Sequence, residues 1–400
     1  MKLYSQHGAQ EGDKTLEGLR QQVLDGVIFS PRDVTLANLR TKLDNIAQDY
    51  PTAERLFDPQ FYAIFLKNID DARLGNLVSE EYPYFETVRR QQLEREGIVR
   101  EHLKSNLEFQ ETLNVTKLVS PNILIPGSLN SVEAVIAKNF IRLAGEVKAE
   151  IGSTKPLLVT LALSRDALLD TPELVQFLNE ITLLESPPQG FYLLVSARRA
   201  ETRLDIFNSD VVARWMLLNY TFAINNFEVV NGYSDLMTPF LGAVGGAAGA
   251  FGWWTNTRTF SLDRFSPSPG GGRLPVQRYL SNALLNRIAY FELDQLRTAW
   301  PEVLNDLPND ALYPPDQGSE PQRNREVIQS WEAVAKLNDE LIGDEINESL
   351  ELCSTAVDDA INNYDEVKQI IPRLDTKSND EHLPALKQGI ALFKELAELG

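Results

Sequence analysis

The chain has 400 residues, 43% hydrophobic and 24% charged, enough for one large domain with a sizeable core and a smaller one beside it. Its formal charge of −19 is uneven: residues 301–400 hold 22 acidic and 8 basic groups, a net of −14, and residues 1–300 carry only −5. Such a chain is repelled by nucleic acid as a whole, so any nucleic-acid contact is expected only through a local arginine-rich site.

The first elements repeat one grammar: a short apolar run ends in polar or Pro/Gly residues, and an amphipathic stretch follows. In order, the runs are Lys2–Ser5, Gly26–Phe29, Glu54–Phe57, Asn122–Ile125, Pro156–Ala162, Gly190–Val195 and Phe227–Val230, with Ala250–Trp254 as an eighth. Helices are expected between them, including Lys14–Asp25, Leu36–Gln48 and Ser131–Ile151, and Ala289–Leu296 after the last strand. Alternating strands and helices imply a parallel sheet with right-handed crossovers. Strands that are apolar throughout fit a sheet buried on both faces. The expected fold class is therefore α/β, a (β/α)8 TIM-like barrel, with an open doubly wound parallel sheet as the alternative.

Residues of about 70–120 read as a helical insertion after the third strand, with Ser79–Glu96 and Ile98–Leu113 charged and periodic. The barrel is expected over residues 1–300. Residues 301–321 are rich in Pro, Asp and Gly and read as a linker. Residues 322–400 read as an acidic α-helical C-terminal region whose apolar stripes must be buried and whose charge must face water or a basic partner. No run approaches the roughly 20 apolar residues of a membrane span: Leu236–Trp254 is broken by Pro239 and several glycines. Met1–His7 has no apolar signal core, and the single Cys353 excludes an internal disulfide. A soluble, cytoplasmic protein with no membrane partner is expected.

In a barrel, the residues just after each strand ring one mouth, where active sites sit. That rule selects Ser5, Gln6 and His7; Ser30, Arg32 and Asp33; Asp58, Gln60 and Tyr62; Ser128 and Asn130; Ser164 and Arg165; Ser196, Arg198 and Arg203; Asn231, Tyr233 and Asp235; and Asn256 and Arg258. Ser, Asp and Asn also favour such turns as helix caps, which accounts for single members of the set. Ser30-Pro31-Arg32-Asp33 and Phe57-Asp58-Pro59-Gln60-Phe61-Tyr62 each put a carboxylate directly after a buried strand, so Asp58 and Asp33 are candidates for general acid and base. Asp33 could equally pair with Arg32 or cap the following helix. His7 titrates in the range that suits proton transfer and is the one histidine of three near a strand end.

All ten basic residues from Ser196 to Trp300 are arginines, with no lysine among them. A guanidinium grips carboxylate or phosphate with two parallel hydrogen bonds. These arginines flank two glycine-rich stretches, Gly242–Gly252 and Gly270–Gly272, where barrels often hold phosphate. Arg198, Arg203 and Arg258 are expected to hold an anion and to share one cavity with Asp58, with Arg32, Gln60, Tyr62, Asn231 and Asn256 completing the ligand contacts. The competing account is that the arginines pair with nearby carboxylates. Phe260–Tyr279 is expected as a loop over that mouth. Neither glycine stretch fits a P-loop or dinucleotide fingerprint, so no cofactor is indicated. No spacing marks a metal site, and the His and Cys counts exclude a histidine-rich or cysteine zinc centre.

The leading expectation is a barrel enzyme acting on a phosphate-bearing or nucleotide-like anionic ligand. The alternative is a non-catalytic interaction protein, a degenerate barrel whose acidic helical tail recruits a basic protein partner. An enzyme should gather the carboxylates and arginines in one pocket; an interaction module should have the mouth filled by side chains.

Overall fold

The computed structural model describes residues 1–67, 73–266, 275–315, 322–323 and 325–399. Parts of three expected features lie outside them: 70–72 of the insertion, 267–274 of the loop with its Ser-Pro repeats and triple glycine, and 316–321 of the linker.

Nine parallel strands build the main sheet: β1 (Lys2–Gln6), β2 (Gly26–Phe29), β3 (Glu54–Phe57), β4 (Leu118–Ser120), β5 (Leu124–Ile125), β6 (Leu157–Ser164), β7 (Gly190–Ser196), β8 (Glu228–Asn231) and β9 (Ala248–Phe251). Their order is β3-β2-β1-β9-β8-β7-β6-β4, with β5 also on β6. β1 therefore lies between β2 and β9, and the sheet curls into a nearly closed (β/α)8 barrel in which β4 and β5 form one interrupted stave. Between β3 and β4 there is no ladder. Thr116 spans that seam: its N–H donates to the Arg55 carbonyl at 2.9 Å, and the Arg55 N–H donates to its hydroxyl at 2.9 Å.

Local chemistry explains the helices that wrap the barrel. Ser131, Asp170 and Asn208 cap the helices Val132–Glu150, Thr171–Thr182 and Ser209–Ile224 by accepting backbone N–H groups two or three residues on. The strand interiors alternate, so Lys2, Tyr4 and Gln6 point into the barrel from β1 while Ser5 meets Thr15 of the outer helix at 3.0 Å. Small residues make room inside: a Cβ on Gly26 would lie 3.0 Å from the Tyr4 ring and 2.4 Å from the Glu54 carbonyl. Lys117, Glu54, Glu228 and Lys2 form an ion-pair cluster below Tyr4, with Lys117 2.7 Å from Glu54.

The structure differs from expectation at particular places. The fourth stave begins at Leu118 rather than Asn122 and is interrupted at Pro121, which brings no N–H to the ladder; the Asn122 side chain substitutes, donating to the Thr160 carbonyl at 2.8 Å. The eighth stave is Ala248–Phe251 rather than Ala250–Trp254, since small residues there carry no apolar signal. Ser79–Glu96 is not one helix: Pro83 interrupts it, Tyr82 and Tyr84 turn inward onto Phe57 and Phe109, and helix resumes at Arg90–Leu93 and Glu96–Glu111. Beyond the mouth, an antiparallel hairpin pairs β10 (Arg278–Ser281) with β11 (Asn286–Ala289).

The C-terminal helices pack on the barrel. Trp331 of Glu326–Leu341 is fully buried and donates to the Phe251 carbonyl at 3.0 Å. Gln329 of the same helix makes paired bonds to the Leu280 backbone of the hairpin at 3.0 and 2.9 Å. Leu383–Leu396 lies against Ser209–Ile224 so closely that a Cβ on Gly389 would stand 2.6 Å from Val212. Among the described residues no helix is long and apolar enough to cross a membrane.

Candidate functional site

The C-terminal end of the barrel encloses Asp58. Its carboxylate is fully buried directly after β3. One oxygen accepts the Gln60 N–H at 3.0 Å. The other faces three tyrosine hydroxyls, Tyr62 at 2.8 Å, Tyr192 at 3.4 Å and Tyr233 at 3.5 Å. Burial pushes the Asp58 carboxyl up to about 6, against the lowering effect of the Gln60 N–H, the Tyr62 hydroxyl and Arg264. A carboxyl poised there exchanges its proton near neutral pH.

Each partner arrives for a local reason. Gln60 takes a left-handed backbone at φ 52°, which folds the Pro59–Tyr62 turn back over Asp58. Tyr233, just after β8, is likewise left-handed at φ 55°. Non-glycine residues held in that region are strained, and such strain clusters where geometry matters. Tyr192 rises from within β7, and Gly232 lets it pass: a Cβ there would sit 2.7 Å from the Tyr192 hydroxyl.

Arg264, on the turn Leu262–Phe265 beyond β9, completes the cluster. It donates to the Tyr233 hydroxyl at 2.5 Å and to Asp33 at 3.0 Å, and Arg32 takes the other Asp33 oxygen at 2.6 Å. The Arg264 guanidinium thereby orients the Tyr233 hydroxyl hydrogen towards Asp58. Among the described residues, three buried donors of this region have no hydrogen-bond partner: Gln6 Nε2, Gln60 Nε2 and Arg264 Nε. Phe260 and Phe265 close over it, each within 6.5 Å of the Tyr62 ring.

Among the residues chosen from sequence, Asp58, Asp33, Arg32, Gln60 and Tyr62 come together here, Arg32 also donating its N–H to the Gln60 side chain at 3.1 Å. Arg198, Arg203, Arg258, Asn231 and Asn256 make no bond to Asp58. Arg198 is exposed and paired with Asp166 at 2.8 Å. Arg203 is bound by Asn286, Asn379 and Glu381. Arg258 is directed to Glu326 at 3.0 Å and to the carbonyls of Gly252 and Trp253. These three arginines pair within the protein, though not with Asp263, Glu292 or Asp294. Asn231 faces the outer helix, bonded to Trp215 and Asn219. Asn256 lies on the half-buried turn Thr255–Arg258.

His7 is buried against Phe29, with Nε2 3.6 Å from Glu11 and Nδ1 without a partner among the described residues. Sequence reasoning did not single out Tyr192 or give Arg264 a role. Tyr192 lies within a strand rather than after it. Arg264 was one arginine among ten with nothing local to mark it. Among the described residues no cluster of three or more His, Cys, Asp or Glu could hold a metal.

The strand order and the polar cluster at the C-terminal ends define the class: a (β/α)8-type barrel protein with a candidate site at the mouth. The sequence matches no family model and no curated protein. Among solved structures, the chain is similar to malate synthase of Haloferax volcanii in its pyruvate/acetyl-CoA ternary complex. The identity is 12%, over 100% of this chain and 98% of that one, with a TM-score of 0.26.

Proposed function

We propose that the chain is a barrel enzyme in which Asp58 transfers a proton and Arg264 meets an anionic, phosphate- or carboxylate-bearing ligand at the mouth. The observation that carries this reading is the surplus of unused donors around an acid poised near neutrality: Gln6 Nε2, Gln60 Nε2 and Arg264 Nε. Buried donors without partners are costly, and acceptor oxygens would satisfy them. Asp33 serves as the counter-charge that fixes Arg264, rather than as a second acid. Substrate entry requires the segment carrying Phe260 and Phe265 to swing out.

The filled mouth favours a second reading, a non-catalytic interaction protein whose acidic helical tail recruits a basic partner. A thermal-shift panel of phosphate- and carboxylate-bearing metabolites separates the two. Stabilisation of the wild type by one compound, lost in Arg264→Gln, supports the enzyme. If no compound stabilises the wild type and amide exchange shows the 259–266 segment staying closed, the enzyme reading fails and the interaction reading stands.

A further inference from the structure

A second site lies outside the barrel wall. Between the helices Lys14–Arg20 and Leu36–Asp49 runs a groove of about 250 Å³, with Phe29 among its lining residues. Its polar lining comes from Glu11, Thr15, Asn38, Thr41, Lys42 and Asn45.

Glu11 is buried, yet it stays ionised. Burial acts to raise its carboxyl, but His7 and Lys42 hold it down to about 2. Lys42 stands 2.6 Å from Glu11 Oε2 and is partly exposed, so its ammonium reaches the groove with donors to spare. The Asn38 and Asn45 side chains are exposed in the groove, and His7 Nδ1, next to this pair, has no partner among the described residues. The groove thus offers one anion and one cation side by side, both with unused capacity, above an aromatic floor.

A ligand of net charge would leave either Glu11 or Lys42 without its counter-charge, which is expensive in a half-buried site. A molecule carrying both charges on groups joined through a single carbon can satisfy both at once. We propose that this groove binds a small zwitterion of the α-amino-acid class, its ammonium on Glu11 and its carboxylate on Lys42, with Asn38 and Asn45 reading the side chain. Phe29 links the groove to the barrel mouth, because its carbonyl accepts the Asp58 N–H at 2.8 Å. The proposal does not depend on what Asp58 does.

Calorimetry on the full chain tests it with glycine, serine and asparagine as probes, and with serine methyl ester and N-acetylserine as single-charge controls. At least one amino acid should bind with a Kd of about 1 mM or tighter, and the controls should bind at least about tenfold more weakly. Leu16 lines the groove and is 41% exposed, so Leu16→Trp fills the space without disturbing the core. That variant and Lys42→Met should each weaken binding about tenfold. Absence of binding by all three amino acids overturns the proposal. So does binding that survives Leu16→Trp, or controls that bind as well as serine.

Discussion

Asp58→Asn converts the buried acid into a group that cannot ionise, and its effect on stability depends on pH in a calculable way. The Asp58 carboxyl is raised from 3.8 to about 6 by folding, so the folded state holds its proton more tightly than the unfolded chain. Such a group stabilises the fold most at low pH, and the contribution is lost as pH rises from about 3.8 to about 6. A displacement of that size corresponds to about 3 kcal/mol over the whole window, roughly half of it falling above pH 5. Asparagine removes the titration but leaves one mismatch, since its amide cannot accept both the Gln60 N–H and the tyrosine hydroxyls. That mismatch costs about 1–2 kcal/mol at every pH. Urea unfolding of both proteins between pH 5 and pH 8 should show the wild type losing about 1–2 kcal/mol relative to the variant as pH rises. Parallel stability curves across that range would refute the assignment of a raised, buried acid.

Other outcomes follow from the same contacts. Arg264→Met leaves the buried Asp33 with Arg32 alone and should lower stability by about 3–5 kcal/mol in denaturant titration, whereas Arg264→Met with Asp33→Leu should recover part of it; equal losses in the two variants would contradict the ion pair. Gly232→Ala forces the Tyr192 ring away from Asp58, since the new Cβ meets Tyr192 and Leu194 at 2.5–2.7 Å. It should cost about 1–3 kcal/mol and change the tyrosine near-ultraviolet dichroism, and an unchanged spectrum would count against the packing. Trp331→Ala removes a fully buried ring and its bond to Phe251. A loss of about 3–5 kcal/mol and faster proteolysis of the C-terminal helices are expected, and a protease pattern identical to wild type would show that this contact does not hold them.

The barrel was legible because parallel strands buried on both faces leave unbroken apolar runs, and Gly26–Phe29 and Glu54–Phe57 begin and end where expected. It blurred where side chains do the work of the backbone, as Asn122 does after Pro121, and where alanine and glycine carry a strand without a hydrophobic mark, as in β9. Asp58 and its turn stood out because a carboxylate after an apolar run is unusual. The rest of the cluster assembles through space. Tyr192 and Asp58 are 134 positions apart, and Arg264 and Asp33 are 231 apart, so no local spacing joins them. The arginines were not separable from sequence for the opposite reason: the same guanidinium chemistry suits a ligand or a carboxylate of the chain, and Arg198, Arg203 and Arg258 pair with Asp166, Glu381 and Glu326.

A ring with one unladdered joint is mechanically unlike a fully welded one. The seam between β3 and β4 is held by the Thr116–Arg55 bonds, the Arg55 side chain on the Asn114 carbonyl and the Lys117–Glu54 ion pair, whereas each other neighbouring pair of staves shares a ladder. Opening of the wall there breaks fewer backbone bonds than at any laddered joint, and β3 borders it. Asp58 thus stands at the end of a stave that is laddered on one side only, to β2.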